Sequence, residues 1–256
     1  MRMSPQGIQF VPVTPMVKKL LIVSLVSWFF LVMILQNFFL TGQPVFYWLG
    51  LVPHSLFTQF TIWQPLTYIF VHSTGIFHVV FNMLLLWWLG AELEMRWGGK
   101  FFLTYYLVCG VGAAFIYLVS VGMYALVTGN YSVLLSPVVG ASGSVFGLLL
   151  AYGLLFGDRV FYFFMLFPMK AKYFVMILAA IELLSVLGSG VGGPVANLAH
   201  LGGLVSGFVF LWGWGRWKAR GPRRGGPGQR RGGPGLKLVV DNERDRPGQG
   251  GPKYWN

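Results

Sequence analysis

Charge is what this chain has least of. Asp, Glu, Lys and Arg together make up 10% of its 256 residues, against 55% hydrophobic and 17% aromatic residues, and the mean hydropathy is positive. A chain so poor in charge cannot expose most of its surface to water, which excludes a soluble globular enzyme and reads as a polytopic membrane protein. Acids are the scarcer sign, seven against nineteen Lys and Arg, and Glu182 is the one acid within the core of an apolar segment. Cysteine is nearly absent too: the single Cys109 lies inside an apolar run, so no intramolecular disulfide can form, and it is expected to be a buried structural thiol. A cleavable signal pattern with a small-residue site is also lacking, so the first apolar helix is expected to stay as an anchor.

What is present is a series of long apolar runs. Leu20 to Leu40 is long enough to cross, since about 20 residues at about 1.5 Å each match a hydrocarbon core of about 30 Å. Further runs extend from about Ile76 to Leu93, Phe101 to Val127, Pro137 to just before Asp158, Tyr173 to Leu187, and Val195 to Trp214. The expected fold is therefore an all-α membrane protein with six transmembrane helices. Its expected organisation is a cytoplasmic N-terminal segment over 1–16, a membrane domain over 17–215, and a disordered basic tail over 216–256 rich in Gly, Pro and Arg, with no separate soluble domain. The positive-inside rule places Lys18 and Lys19, Arg96 and Lys100, Arg159, Lys170 and Lys172, and the Arg-rich tail on the cytoplasmic side, and leaves both termini there. Thr41 to Gly75, broken by Pro44, Pro53 and Pro65 and rich in aromatic rings, reads as a long external connection embedded in the membrane interface.

In this topology the second, fourth and sixth spans all run from outside to inside. His78, Asn82, Ser142 and His200 lie near the starts of those spans, at about 3 to about 9 Å below the external boundary. Polar groups at membrane depth are costly and default to a functional hypothesis. A hydroxyl nucleophile and a general base are the minimum apparatus for nucleophilic hydrolysis. Gly143, Gly147 and Ala151 on the fourth span, and Ala199, Gly203 and Gly207 on the sixth, are small residues at a spacing of four that permit close helix approach. Ordinary packing accounts for such stripes alone; beside a serine and a histidine at one level they also give the pair a way to meet. His78 and Asn82, four residues apart, share a helix face. They could direct hydrogen bonds to one developing oxyanion, or simply bond between helices.

The ordered set His72, His78-Val79-Val80-Phe81-Asn82, Gly140-Ala141-Ser142-Gly143 and Ala199-His200-Leu201-Gly202-Gly203 resembles the rhomboid intramembrane serine proteases, over roughly Leu20 to Trp214. The resemblance implies a six-helix rhomboid-like bundle that cleaves single-span membrane proteins near the outer end of the span. It implies a Ser-His dyad without a carboxylate, Ser142 attacking and His200 carrying the proton, with His78, Asn82 and the Ser142 amide stabilising the oxyanion. It also implies that Gly140 keeps the space beside the nucleophile open, that Phe146 stacks on His200, and that Gly143 and His72 play supporting parts. Trp63-Gln64 stands roughly where the family often has Trp-Arg.

Asn197, one turn before His200, is expected either to line the same cavity or to cap its helix. Glu182 is the obvious candidate for a third member of a triad, but the family mechanism uses no acid and the residue lies in the fifth span, so a structural hydrogen bond or a place facing a water-filled cavity is expected instead. Glu92 and Arg96 have the spacing of an ion pair along one helix, Glu94 is expected to be structural, and His54 to be solvated or interfacial. No cofactor or metal is expected. Partners are transmembrane substrates and the bilayer, with contact between the basic tail and anionic headgroups as a second task; nucleic acid is not an expected partner. The expected location is a prokaryotic plasma membrane. An inactive rhomboid-like protein that binds membrane clients is the alternative; a transporter would spread its polar groups along a path through the whole membrane.

Overall fold

The computed structural model describes residues 11–163, 167–189 and 195–220. By its internal contacts the chain divides into a unit from Met1 to Gly215 and a second beginning at Arg216. Residues 221–256, most of the expected basic tail, and residues 1–10 of the expected N-terminal segment lie outside the described residues.

Among the described residues five helices are long and apolar enough to cross a membrane: α1 (Pro15–Phe39), α5 (Ile76–Trp97), α6 (Gly99–Thr128), α8 (Ala171–Ser189) and α9 (Val195–Arg220). The chain is an integral membrane protein whose body is a bundle of helices. Three short helices, α2 (Pro44–Leu49), α3 (Pro53–Gln59) and α4 (Gln64–Thr67), occupy the connection after α1. The prolines that read as breaks in the sequence in fact stand at the starts of these helices, Pro44 and Pro53 as first residues and Pro65 as the second, where a fixed φ and a missing N–H cost nothing.

The expected fourth span needs correction. Helix α7 covers Ser142–Leu155, only 14 residues, about 21 Å at 1.5 Å each and short of a full crossing. The residues from Pro137 to Ala141 are not helical: the chain forms a bridge at Val138, bends at Gly140 and turns at Ala141, and it is pinned by the connection after α1. Leu51 and Val138 exchange both backbone hydrogen bonds, at 2.8 and 2.9 Å, and the Gly140 N–H donates to the Tyr68 carbonyl at 2.9 Å. Gln64, fully buried, holds the connection itself: its Oε1 accepts from the Val52 N–H at 2.9 Å and its Nε2 donates to the Tyr47 carbonyl at 2.8 Å. Shortening α7 at this end is what puts Ser142 at a helix start.

Helix α7 is also the central element, packed against α5, α6 and α8. The core around it includes Leu86, Leu89, Phe102, Tyr105, Tyr106, Tyr117, Leu148 and Leu149, all sealed from solvent. Large apolar side chains on the outward faces of the long helices, among them Phe29, Phe77, Phe115, Leu184 and Phe208, are exposed, as a lipid-facing surface requires.

At the end of α5 away from His78, acidic side chains tie the helices together. Glu94 of α5 accepts from the backbone N–H groups of Met16 and Val17, each at 2.9 Å, and from the Thr14 hydroxyl, so it caps α1 from a neighbouring helix. Glu92 pairs with Arg159 and accepts from the Tyr152 hydroxyl, whereas Arg96 lies over the Phe156 ring. The expected Glu92 to Arg96 pair is thus replaced by one between α5 and the segment after α7. That segment forms an antiparallel hairpin, β1 (Val160–Phe163) with β2 (Phe167–Lys170), which the sequence reading passed over. Asp158 at its base meets Lys172 at 2.8 Å and Lys170 at 3.3 Å, and these cations hold its carboxyl below the usual carboxylate range.

Candidate active site

Ser142 is the first residue of α7, after Ala141 as its N-cap. A first-turn N–H has no acceptor within its own helix, so the Ser142 amide is available at the positive end of the helix dipole. The two preceding residues are set by the loop. Gly140 has φ +127°, open to glycine and strained for other residues, and a Cβ there would lie 2.8 Å from His78 Nε2 and 3.8 Å from Ser142 Oγ. His78 and Ser142 therefore flank the same small space, which the bare Gly140 leaves open.

The tautomer of His78 follows from its other nitrogen. Nδ1 lies 2.8 Å from the Ser73 hydroxyl and receives the Ser73 N–H at 3.4 Å. An Nδ1 that accepts leaves the proton of a neutral imidazole on Nε2, the atom that faces Gly140 and the serine. Ser73 was not singled out from the sequence, because its role depends on a turn that no periodicity marks. Asn82 is buried on α5 and turns its amide back along its own helix, Nδ2 donating to the His78 carbonyl at 2.8 Å. One amide hydrogen remains beyond that bond.

His72 is fully buried, and its Nε2 receives the Ala141 N–H at 3.4 Å. Burial, and then the neighbouring His78, hold His72 down to about 4 against the pull of the Phe70 backbone. The ring is thus neutral and acts on the loop just before the serine.

His200 reaches the site from α9 because small residues let the helices touch. A Cβ on Gly203 would strike the Gly143 backbone, one on Gly143 would lie 2.8 Å from Ala113 Cβ and 3.5 Å from the Ala199 carbonyl, and one on Gly147 would lie 3.4 Å from the Gly203 carbonyl. Gly143 is thus a packing position. The contact carries His200 onto Phe146, one turn beyond Ser142, and the two rings stack with centroids 4.3 Å apart and planes 9° from parallel. Asn197 is half-buried on α9, one turn before His200. His54 is exposed in the external connection, away from this grouping.

Glu182 was expected to be structural or cavity-facing, and the histidine was expected to have no carboxylate partner. Instead Glu182 Oε1 lies 3.0 Å from His200 Nδ1. Its helix reveals the reason: Val175, Leu178 and Val186 of α8 pack against the core, and Glu182 continues that face at spacings of four and seven. The signal was present in the sequence, but α8 is apolar on all sides, so nothing there identified the inward face. Among the described residues no group of three His, Cys, Asp or Glu side chains is placed to hold a metal ion.

The chain is similar to Rhomboid protease GluP of Bacillus subtilis (strain 168), at 32% identity over 164 residues covering 62% of this chain and 27% of that protein. It is similar to RHOMBOID-like protein 1 of Arabidopsis thaliana, at 32% over 156 residues, 58% of this chain and 33% of that protein. It is also similar to Rhomboid protease GlpG of Klebsiella pneumoniae (strain 342), at 29% over 182 residues, 70% of this chain and 57% of that protein. The chain therefore spans from 27% to 57% of the length of these relatives. The family model for the Rhomboid domain matches residues 59–217, well over half of the chain and all of the grouping from His72 to His200, and the chain belongs to the rhomboid family.

Proposed function

We propose that this chain is an intramembrane serine endopeptidase that cuts single-span membrane proteins near the outer end of the span. The observation that carries the reading is the Phe146–His200 stack, which holds an imidazole one helical turn from a serine at a helix N-terminus. His78 Nε2, across the same space, supplies a hydrogen-bond donor where negative charge would develop.

In this mechanism Ser142 Oγ attacks the scissile carbonyl while His200 takes the hydroxyl proton. The tetrahedral oxyanion is held by the Ser142 N–H and His78 Nε2–H, with the remaining Asn82 amide hydrogen as a third donor. The C–N bond then breaks, His200 returns its proton to the leaving amine, and an acyl-enzyme remains. Water, activated by the same imidazole, releases the new carboxylate and restores the serine. Ser142, His78 and His200 are each half-buried rather than sealed, which gives that water a way in.

The site faces the outside of the membrane in this reading, with both termini cytoplasmic and a prokaryotic plasma membrane as the location. The basic tail meets anionic headgroups of the inner leaflet. Purified protein in detergent should cut a model transmembrane substrate, and Ser142→Ala and His200→Ala should each lower the rate by at least about 10³-fold with the fold retained. A folded wild type that cuts no member of a broad panel of spans, or a Ser142→Ala variant that cuts as well as wild type, would overturn the proposal.

A further inference from the structure

We propose that Glu182 is the positioning residue for His200, so that this chain works with a Ser142–His200–Glu182 triad in place of a dyad; the assignment rests on the protease reading above. The distance of 3.0 Å from Oε1 to Nδ1 is that of a direct hydrogen bond. A carboxylate can only accept, so the imidazole proton sits on Nδ1 and Nε2 carries the lone pair. Nε2 is then the atom that can receive the serine proton.

The stack and the hydrogen bond constrain different motions. A parallel contact with Phe146, planes 9° apart, fixes the plane of the His200 ring but leaves the ring free to turn within that plane. Nothing in a ring-on-ring contact selects which nitrogen faces Ser142. Glu182 makes that selection by holding one nitrogen from α8. When Nε2 takes the serine proton, the imidazolium lies against the carboxylate, which stabilises the charge without itself being protonated. Proton and electron counts are those of the dyad reaction.

Burial argues for the pair as well. The Glu182 and His200 side chains are 14% and 16% exposed, and Glu182 lies about 10 Å from the outer end of a span whose Ile181, Leu183 and Leu184 face outward. An acid at that depth is costly, and its observed partner is the imidazole of the reaction.

The test uses the full chain in detergent, with wild type, Ser142→Ala, Glu182→Gln, Glu182→Asp and Glu182→Leu compared on one transmembrane substrate. The rate of labelling by a fluorophosphonate is measured alongside, and every rate is normalised to folded protein. Glu182→Gln keeps an acceptor for Nδ1–H but loses the charge, and kcat should fall about 10-fold with KM unchanged. Glu182→Leu loses both, and kcat should fall about 100-fold. Glu182→Asp should recover part of that loss, and labelling should follow kcat because it needs no peptide binding.

Glu182→Gln or Glu182→Leu variants that match wild type in kcat and labelling per folded molecule would overturn the assignment, because Glu182 would then be structural only. Should Glu182→Leu not fold, the Gln and Asp variants decide the matter. Ser142→Ala separates the two claims. If it is inert while the Glu182 variants keep full kcat, only the positioning role falls; if it cuts like wild type, the protease reading falls with it.

Discussion

The two ends of the bundle use polar groups in opposite ways. At the end that the proposed topology places inside, every oxygen of Glu94 is taken by backbone N–H groups and the Thr14 hydroxyl, and Glu92 is shared between Arg159 and Tyr152. At the outer end the pairing stops one atom short. His78 is held through Nδ1 by Ser73 and His200 through Nδ1 by Glu182, which leaves Nε2 of each ring for the proposed chemistry. A saturated group stabilises the fold and does nothing else; a ring anchored by one nitrogen is rigid and still has the other for chemistry. The difference separates structural from reactive side chains more sharply than burial or depth does.

The largest test of that contrast fills the space the outer end keeps open. Gly140→Val adds a side chain at φ +127° whose Cβ would lie 2.8 Å from His78 Nε2. It should displace the donor and strain the loop before Ser142. Cleavage should fall about 10³-fold, the cost of losing an oxyanion donor, while thermal unfolding in detergent moves much less. A variant that keeps near-normal cleavage would mean that His78 does not act through this space.

His72 sharpens the comparison from the other side, as a group at the outer end that is sealed from solvent and receives the Ala141 N–H instead of facing the open space. Its pKa falls from an ordinary value near 6.5 to about 4 in the folded state, because burial disfavours the charged ring. The unfolded chain then binds more protons between those two values, so this group's contribution is complete above about pH 6.5 and is lost as pH falls toward 4. The loss is on the order of 3 kcal/mol when complete. Unfolding midpoints measured in detergent at pH 7 and pH 4.5 should show this acid sensitivity in wild type and a smaller one in His72→Gln. Equal sensitivity in both would remove His72 from the account.

Much of this was legible in the sequence, and the parts that were not have a common cause. Apolar run length located the long helices, and the small-residue spacing of Gly143, Gly147, Ala199 and Gly203 anticipated where two of them touch. The run from Pro137 misled because apolar content marks burial and not helicity; residues 137–141 are apolar since they lie beneath the external connection. Ser73, Gln64 and Glu182 were missed or undervalued because each acts through a partner distant in sequence, and no local pattern encodes that contact. Glu92 was paired with Arg96 for the reverse reason: a permitted local spacing concealed the better partner, Arg159.

Glu94 offers the next test at the inner end. Glu94→Ala leaves the Met16 and Val17 N–H groups and the Thr14 hydroxyl without their acceptor, at a cost of about 2 kcal/mol in unfolding free energy. Activity per folded molecule should stay at the wild-type level, since Glu94 and Ser142 stand at opposite ends of the bundle in the proposed topology. A drop in kcat at unchanged stability would show that the ends are coupled.

The smallest effect is expected at Arg159, and its smallness is informative. Its side chain is 55% exposed, so its pairing with Glu92 is screened by water and contributes at most about 1 kcal/mol. Glu92 is the more buried partner, at 14%, and keeps the Tyr152 hydroxyl as a donor when the arginine is removed. Arg159→Ala should therefore lower the unfolding free energy by less than Glu94→Ala, and raising the salt concentration should shrink the gap between wild type and Arg159→Ala. If Arg159→Ala instead costs as much as Glu94→Ala, then exposure does not rank the ionic contacts of the inner end, and the hairpin after α7 that Arg159 ties to α5 contributes more to the fold than its position at the edge of the bundle implies.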